Sequence, residues 1–265
     1  MRPPGDATGA GVPNPPGERS PARDAASADG RPVPPEAVAD AYGCEDDARR
    51  AIVEASLRME ALGINQGKAG NLSVRWDRGG ARGMLITPSG LAYSRTGIDA
   101  LVWMSIDLAG SAPAMRDGAR APSSEWRMHR DVYATRPDAN AVVHTHALHA
   151  TTLACLPRTQ REGIPAFHYM IAVAGGADLR CAPYATFGTP ELSENALAAL
   201  AGRRACLLAN HGLLALHDSL ERALALAVEV ETLARMYWQA LQVGEPVVLD
   251  DVEMRRVIGR LGGYV

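Results

Sequence analysis

"NAVVHTHALH", residues 140–149, carries three of the chain's seven histidines in its last six positions. Val142, Val143 and Thr145 are β-branched and read as a short strand, on which side chains at i and i+2 project from one face. His144 and His146 can therefore aim two imidazoles at one point. That spacing alone does not make a metal site, because imidazoles also serve as hydrogen-bonded core or surface groups. A third ligand has to come from elsewhere in the chain.

His211 is a candidate, since "ACLLANHG" (205–212) is a second apolar strand with a histidine just before a glycine turn. Glu125 is another. It stands in "PSSEWRMHRDVYATRP" (122–137), read as a helix opened by Ser123 or Ser124 and closed before Pro137. That helix ends shortly before the histidine strand, so the two can pack with the carboxylate near the imidazoles. Three neutral histidines and one carboxylate suit a divalent transition ion such as zinc better than magnesium or calcium. If the carboxylate leaves, a coordination position opens for substrate. Of the other histidines, His149 is equally a supporting or a structural residue, His129 and His217 read as surface or packing residues, and His168 stays open because it adjoins Tyr169.

Helix and strand signals continue on both sides. "DDARRAIVEASLRMEALG" (46–63) spaces its apolar residues at helical intervals and stops at Gly63. "NLSVRW" and "GMLITPSG" read as strands joined by the turn "DRGG", and "ALHATTLACL" as the helix after the histidine strand. Thr189-Pro190 opens a helix with proline at its first position. Asp218 and Glu221 resemble a capping box for the long helix "LERALALAVEVETLARMYWQAL". Strands and helices alternate without an internal repeat, so the fold class is α/β.

Composition narrows the function classes. The 265 residues are 47% apolar and 22% charged, with a formal net charge of -3. Scattered basic residues leave no electrostatic footprint for nucleic acid or an acidic membrane. Four cysteines, none in a CxxC, suggest neither a disulfide framework nor a cysteine zinc site, and make a reducing cytoplasm the default. No membrane span or secretory signal is evident. Residues 1–45 hold half of the 18 prolines and no aromatic residue before Tyr42, the composition of a disordered tail. Residues 46–265 are then the folded domain.

Over roughly residues 47–265 the frames "GKAGNLSVR", "ITPSG", "SSEWRMH", "AVVHTHALH", "IPAFHYMIAVAGG", "CAPYATFGTPELSE", "LLANHGLLAL" and "GGYV" follow one another in order, and with them the chain resembles the class II aldolase/adducin family. The resemblance implies a central, mainly antiparallel β-sheet flanked by helices, assembled as a cyclic homotetramer with active sites at subunit interfaces. It matches His144, His146 and His211 to zinc ligands. Glu125 matches the carboxylate that ligates zinc at rest and moves off to act as acid/base. Asn71, Ser89, Gly90, Ser123 and Ser124 match a phosphate cradle. Tyr169, Phe187 and Tyr264 match residues that a neighbouring subunit contributes around the substrate's aldehyde end, where a phenol can donate to the aldehyde-side oxygen.

The implied activity is a metal-dependent aldehyde-lyase reaction: reversible retro-aldol cleavage of a ketose 1-phosphate, such as L-fuculose 1-phosphate, to dihydroxyacetone phosphate and an aldehyde. Zinc fits as the Lewis acid for the charge that develops next to the carbonyl. A Schiff base would need a lysine, and the chain has only Lys68. Lys68 itself departs from the family, which usually has threonine there, and could reach phosphate or a substrate carboxylate. Leu261 replaces an aromatic residue, and the segment between Gly90 and Ser123 is longer than usual. A pentulose-phosphate 4-epimerase or a sugar-acid phosphate decarboxylase would use nearly the same site. An adducin-like assembly module would keep the fold without catalysis, but all four metal positions are filled.

Overall fold

The computed structural model describes residues 42–107 and 116–261. Most of the expected tail, part of the long segment after Gly90, and Tyr264 lie outside the described residues. Helix α1 (Glu45–Ala61) begins beside the expected start of folded structure, and Gly63 follows it with φ +68°.

Ten strands are described: β1 (Asn71–Arg75), β2 (Gly83–Ile86), β3 (Val102–Ser105), β4 (Arg116–Asp117), β5 (Ala141–Thr145), β6 (Ile164–Pro165), β7 (Asp178–Leu179), β8 (Cys181–Ala182), β9 (Ala205–Leu208) and β10 (Gly212–His217). Eight form one sheet in the order β4-β3-β2-β1-β5-β10-β9-β8. Every pairing is antiparallel except β8 with β9. The expected mainly antiparallel α/β architecture is what the chain adopts. The histidine strand β5 lies at its centre, with Asn71 of β1 opposite His144 on one side and Leu214 of β10 opposite it on the other.

Helices cover both faces. Strand side chains alternate between two cores, one holding Leu72, Val74, Val143, Leu213 and Ala215, the other Ile86, Val142, Leu214 and Leu216. Helices α1 and α6 (Leu220–Val243) close the first face; α2 (Trp126–Thr135) and α5 (Pro190–Ala199) pack together over the second. With both faces buried, β5 reads as an unbroken run of closed positions rather than an alternation. The short helix α3 (Leu148–Ala154) follows β5 and packs on α6, whose Glu231 accepts from the backbone N–H groups of His149 and Ala150 at 2.9 and 2.8 Å. A carboxylate from another helix thus caps α3. Helices α4 (Pro157–Glu162) and α7 (Asp251–Leu261) complete the set.

Two local expectations need correction. Helix α2 is capped by neither serine: Glu125 occupies its N-cap position, Ser123 N–H is tied to Thr87 O at 2.9 Å, and Ser123 Oγ accepts from Glu125 N–H at 3.3 Å. The serines are held by the extension of β2, which moves the helix start one step along. The cap of α6 is Ser219, which accepts from Arg222 N–H, because the Asp218 carboxylate is drawn instead to the side chains of His217 and Arg222. Of the two places expected for His129 and His217, surface or packing, both take the second: they are buried and hydrogen-bonded.

Glycines permit the close approach of chain around the end of β5. A Cβ on Gly70 would lie 2.5 Å from His144 O, and one on Gly212 would lie 2.5 Å from Thr145 O, with His146 Cδ2 and His144 Cε1 at 3.2 and 3.3 Å. Gly212→Ala is expected to cost about 1–3 kcal/mol of stability, the usual range for overpacking, and to weaken metal retention by pushing both imidazoles. Thermal melting and metal content check this, and a variant unchanged in both would show that β10 yields without moving the histidines.

Candidate metal centre

Three stretches of chain deliver four donors to one place. Glu125 sits at the mouth of α2 and is 5% exposed; His144 lies near the end of β5 and is fully buried. His146 follows two residues later, its backbone N–H donating to Asn65 Oδ1 at 3.1 Å. His211 arrives on the tight β9–β10 turn. Asn210 makes that turn possible by adopting φ +53°, a left-handed conformation that asparagine tolerates better than most residues. Its side chain is pinned in turn by Gln160 Nε2, which donates to Asn210 Oδ1 at 2.8 Å.

One ligand atom from each of Glu125, His144, His146 and His211 lies within 4.8 Å of all the others. Glu125 Oε2 is 3.2 Å from His144 Nε2, Glu125 Oε1 is 3.1 Å from His211 Nε2, and the Nε2 atoms of His144 and His146 are 3.2 Å apart. The His144 Nδ1–H donates to the Leu213 carbonyl at 2.9 Å, which turns Nε2 and its lone pair toward the cluster. Although His211 lies close to it, Glu125 Oε1 is buried without an aligned hydrogen bond. A buried carboxylate oxygen left without a donor, facing three imidazole nitrogens, fits a cation-binding site.

Electrostatics couple the members. Burial pushes the Glu125 carboxyl up, but His144 and His211 beside it outweigh that and hold it well below the usual carboxylate range. Burial alone would push His144 down, yet the Glu125 carboxylate raises it. His146 has no such contact with the carboxylate, and burial followed by its two imidazole neighbours lowers it to about 4.

An open cleft of roughly 260 Å³ gives access to this cluster, lined by Ala69, Ser124, Glu125, His146, Tyr184, Phe187, Asn210 and His211 among others. Phe187 and Tyr184 stand at its edge, 64% and 60% exposed. Tyr184 and Asn210 had not been singled out individually; each lies inside a quoted stretch, "CAPYATFGTPELSE" and "LLANHGLLAL". Lys68, next to Ala69, is exposed and its Nζ donates to Gly90 O at 3.1 Å, which links it to the Ser89-Gly90 turn. Ser123 is buried; Ser89 and Ser124 are exposed. Asn71 is buried and faces Glu125, to which its Nδ2 donates at 2.8 Å. Tyr169 is elsewhere, in a separate cleft with Glu253, Arg256 and Arg260 of α7. His149 stays outside the cluster, its ring 2.7 Å from Glu231.

Behind Asn71 stand residues whose connection to the site sequence reasoning missed. His129 Nε2 lies 2.6 Å from Asn71 Oδ1, its Nδ1 lies 2.7 Å from Ser73 Oγ, and Ser73 Oγ is 2.8 Å from the Tyr133 hydroxyl. The signal was present as two periodicities: Glu125, His129 and Tyr133 at steps of four on α2, facing Asn71 and Ser73 at a step of two on β1.

Comparison with known proteins agrees with this architecture. Residues 50–238 match the model of the family described as "Class II Aldolase and Adducin N-terminal domain". The chain is 51% identical over 216 residues to a 5-methylthioribulose-1-phosphate/5-deoxyribulose-1-phosphate aldolase of Rhodospirillum rubrum, covering 82% of this chain and 91% of that protein. It is 49% identical over 216 residues to the L-fuculose phosphate aldolase of Escherichia coli K12, covering 81% and 94%. A solved L-fuculose 1-phosphate aldolase superposes with a TM-score of 0.74 at 44% identity, covering 82% and 96%. The chain belongs to the class II aldolase and adducin family, as a class II aldolase.

Proposed function

We propose that the enzyme uses zinc to cleave a ketose 1-phosphate reversibly into dihydroxyacetone phosphate and an aldehyde. The observation that carries this reading is the convergence of Glu125, His144, His146 and His211 at the floor of an open cleft. The relatives named above, which are named for ketose phosphates, support the substrate class.

His144, His146 and His211 would hold a zinc ion, which would act as the Lewis acid for the negative charge that develops as the carbon–carbon bond breaks. Glu125 removes the proton of the hydroxyl that becomes the aldehyde. On swinging away from the positive charge of the cluster it becomes a stronger base at the moment a base is needed. Asn71 holds Oε2 at rest, and its NH2 group becomes available to substrate when the carboxylate moves. Ser89, Gly90, Ser123 and Ser124 bind the phosphate, a role supported by Ser124 on the cleft lining. There the Ser124 hydroxyl, on the cleft, and the exposed Lys68 ammonium favour an anion.

Phe187, expected from a neighbouring subunit, instead lines the cleft of its own chain, and there it contacts the aldehyde end. Tyr169, and Tyr264 outside the described residues, reach a neighbouring subunit's cleft in a homotetramer, where a phenol donates to the aldehyde oxygen. Half-exposed Tyr169 and the bare aromatic edge of the cleft support such an assembly. The setting is cytoplasmic: all four cysteines are free, and no helix among the described residues is long and apolar enough to cross a membrane.

A coupled assay for dihydroxyacetone phosphate, run with 5-methylthioribulose 1-phosphate, 5-deoxyribulose 1-phosphate and L-fuculose 1-phosphate, tests the activity and names the preferred tail. Epimerised ketose without dihydroxyacetone phosphate, or carbon dioxide release from a sugar-acid phosphate, would replace the proposal by one of the two alternatives. His144→Ala, His146→Ala and His211→Ala are each expected to lose zinc and nearly all turnover; a variant with full zinc and normal turnover removes that residue from the ligand set. Glu125→Gln should retain zinc, measured by metal analysis, while kcat falls on the order of 10² or more. Lys68→Thr should raise KM about ten- to a hundredfold at nearly constant kcat, because a charge-assisted contact contributes roughly 1.5–3 kcal/mol. An unchanged KM would leave Lys68 as a tether of the Gly90 turn alone.

A further inference from the structure

Behind Glu125, away from the cleft, lies a buried polar ladder in which α2 and β1 alternate. Its order is Glu125, Asn71, His129, Ser73, Tyr133, with successive contacts of 2.8, 2.6, 2.7 and 2.8 Å. Arg75 closes the far end, its guanidinium 5.0 Å over the Tyr133 ring and its Nη2 donating to Tyr133 O at 2.9 Å. All these side chains are buried, so none can exchange its partner for bulk water.

Donor chemistry gives the ladder one direction. The Glu125 carboxylate only accepts, so the Asn71 NH2 faces it and the Asn71 carbonyl faces His129. His129 must then donate from Nε2. Burial, and next the nearby His144, lower His129 to about 3, so the ring is neutral and carries that one proton. Its Nδ1 is therefore an acceptor, filled by the Ser73 hydroxyl, whose oxygen accepts from Tyr133. Burial pushes the Tyr133 phenol up, which keeps it a donor. Every hydrogen in the chain points toward Glu125.

We propose that His129 is a positioning residue that locks the Asn71 amide with its NH2 group toward the reaction site. A reversed amide would set its carbonyl against the carboxylate and its NH2 against the Nε2–H of His129, two clashes created by one flip. The lock also holds when Glu125 swings away: the Asn71 donor stays aimed into the site, available to an oxygen that gains charge there. This inference rests on the assigned role of Glu125 and extends it to a residue outside the cleft.

Two measurements on the full-length, metal-loaded protein test it. In the wild type labelled with 15N-histidine, NMR should find the His129 ring protonated on Nε2 alone from pH 5 to 8, its signal identified by its loss in His129→Gln. A proton on Nδ1, or on both nitrogens, overturns the proposal. In kinetics, His129→Phe should lower kcat about ten- to a hundredfold with metal retained, the scale seen when an outer hydrogen-bond partner of a metal site is removed. His129→Gln, whose amide nitrogen can reach the place of Nε2, should recover most of that loss. In an Asn71→Ala background His129→Phe should cost nothing further, because its effect passes through Asn71. Equal losses in the Phe and Gln variants, or losses that multiply in the double variant, show a merely structural histidine and overturn the proposal. The NMR result needs no turnover, so a wild type inactive on ketose 1-phosphates would defeat the functional reading while the ladder's direction was still decided.

Discussion

A carboxylate buried among imidazoles at the end of the central strand constrains everything around it. Taking the Glu125 charge out of water is costly unless donors or positive charge surround it closely. The sheet meets that demand through register: Asn71 and Leu214 lie opposite His144 on its two neighbouring strands, and the adjacent Leu213 carbonyl orients its ring. A slip of one residue between β1 and β5 would turn Asn71 and Ser73 into the opposite core and leave apolar Leu72 behind the carboxylate. Polar residues on β1 thus fix the strand pairing as firmly as the apolar ones do.

The same accounting explains why one face of α2 is polar where it meets the sheet. His129 and Tyr133 occupy positions that would ordinarily hold leucine, and their neighbours Met128 and Val132 supply the apolar contacts. A fully satisfied buried network is rigid, because each member has one partner arrangement available. Rigidity behind Glu125 contrasts with the exposed aromatic edge of the cleft in front of it.

Much of this was legible in the chain. The HxH strand, the glutamate ahead of α2 and the histidine before Gly212 all carry local signals: β-branched spacing, a helix start, a turn glycine. Strands β3, β4 and β6–β8 were not legible, since they are short and owe their existence to pairing with neighbours rather than to their own pattern. The His129 ladder escaped because a lone histidine on a helix is silent until its strand partner is known. Misplaced caps at α2 and α6 have a common cause: a plausible capping side chain was claimed by a stronger tertiary contact, the β2 extension in one case and His217 with Arg222 in the other.

The four donors lie on stretches that meet only when α2, β5 and the β9–β10 turn are all in place. An unfolded chain offers a cation little beyond the adjacent pair His144 and His146. Any ion that engages all four donors therefore discriminates between native and denatured ensembles, and at a hundredfold excess over its dissociation constant it deepens the native well by about 2.7 kcal/mol. A metal bound there would in that sense link the folding yield and cellular lifetime of this protein to metal supply.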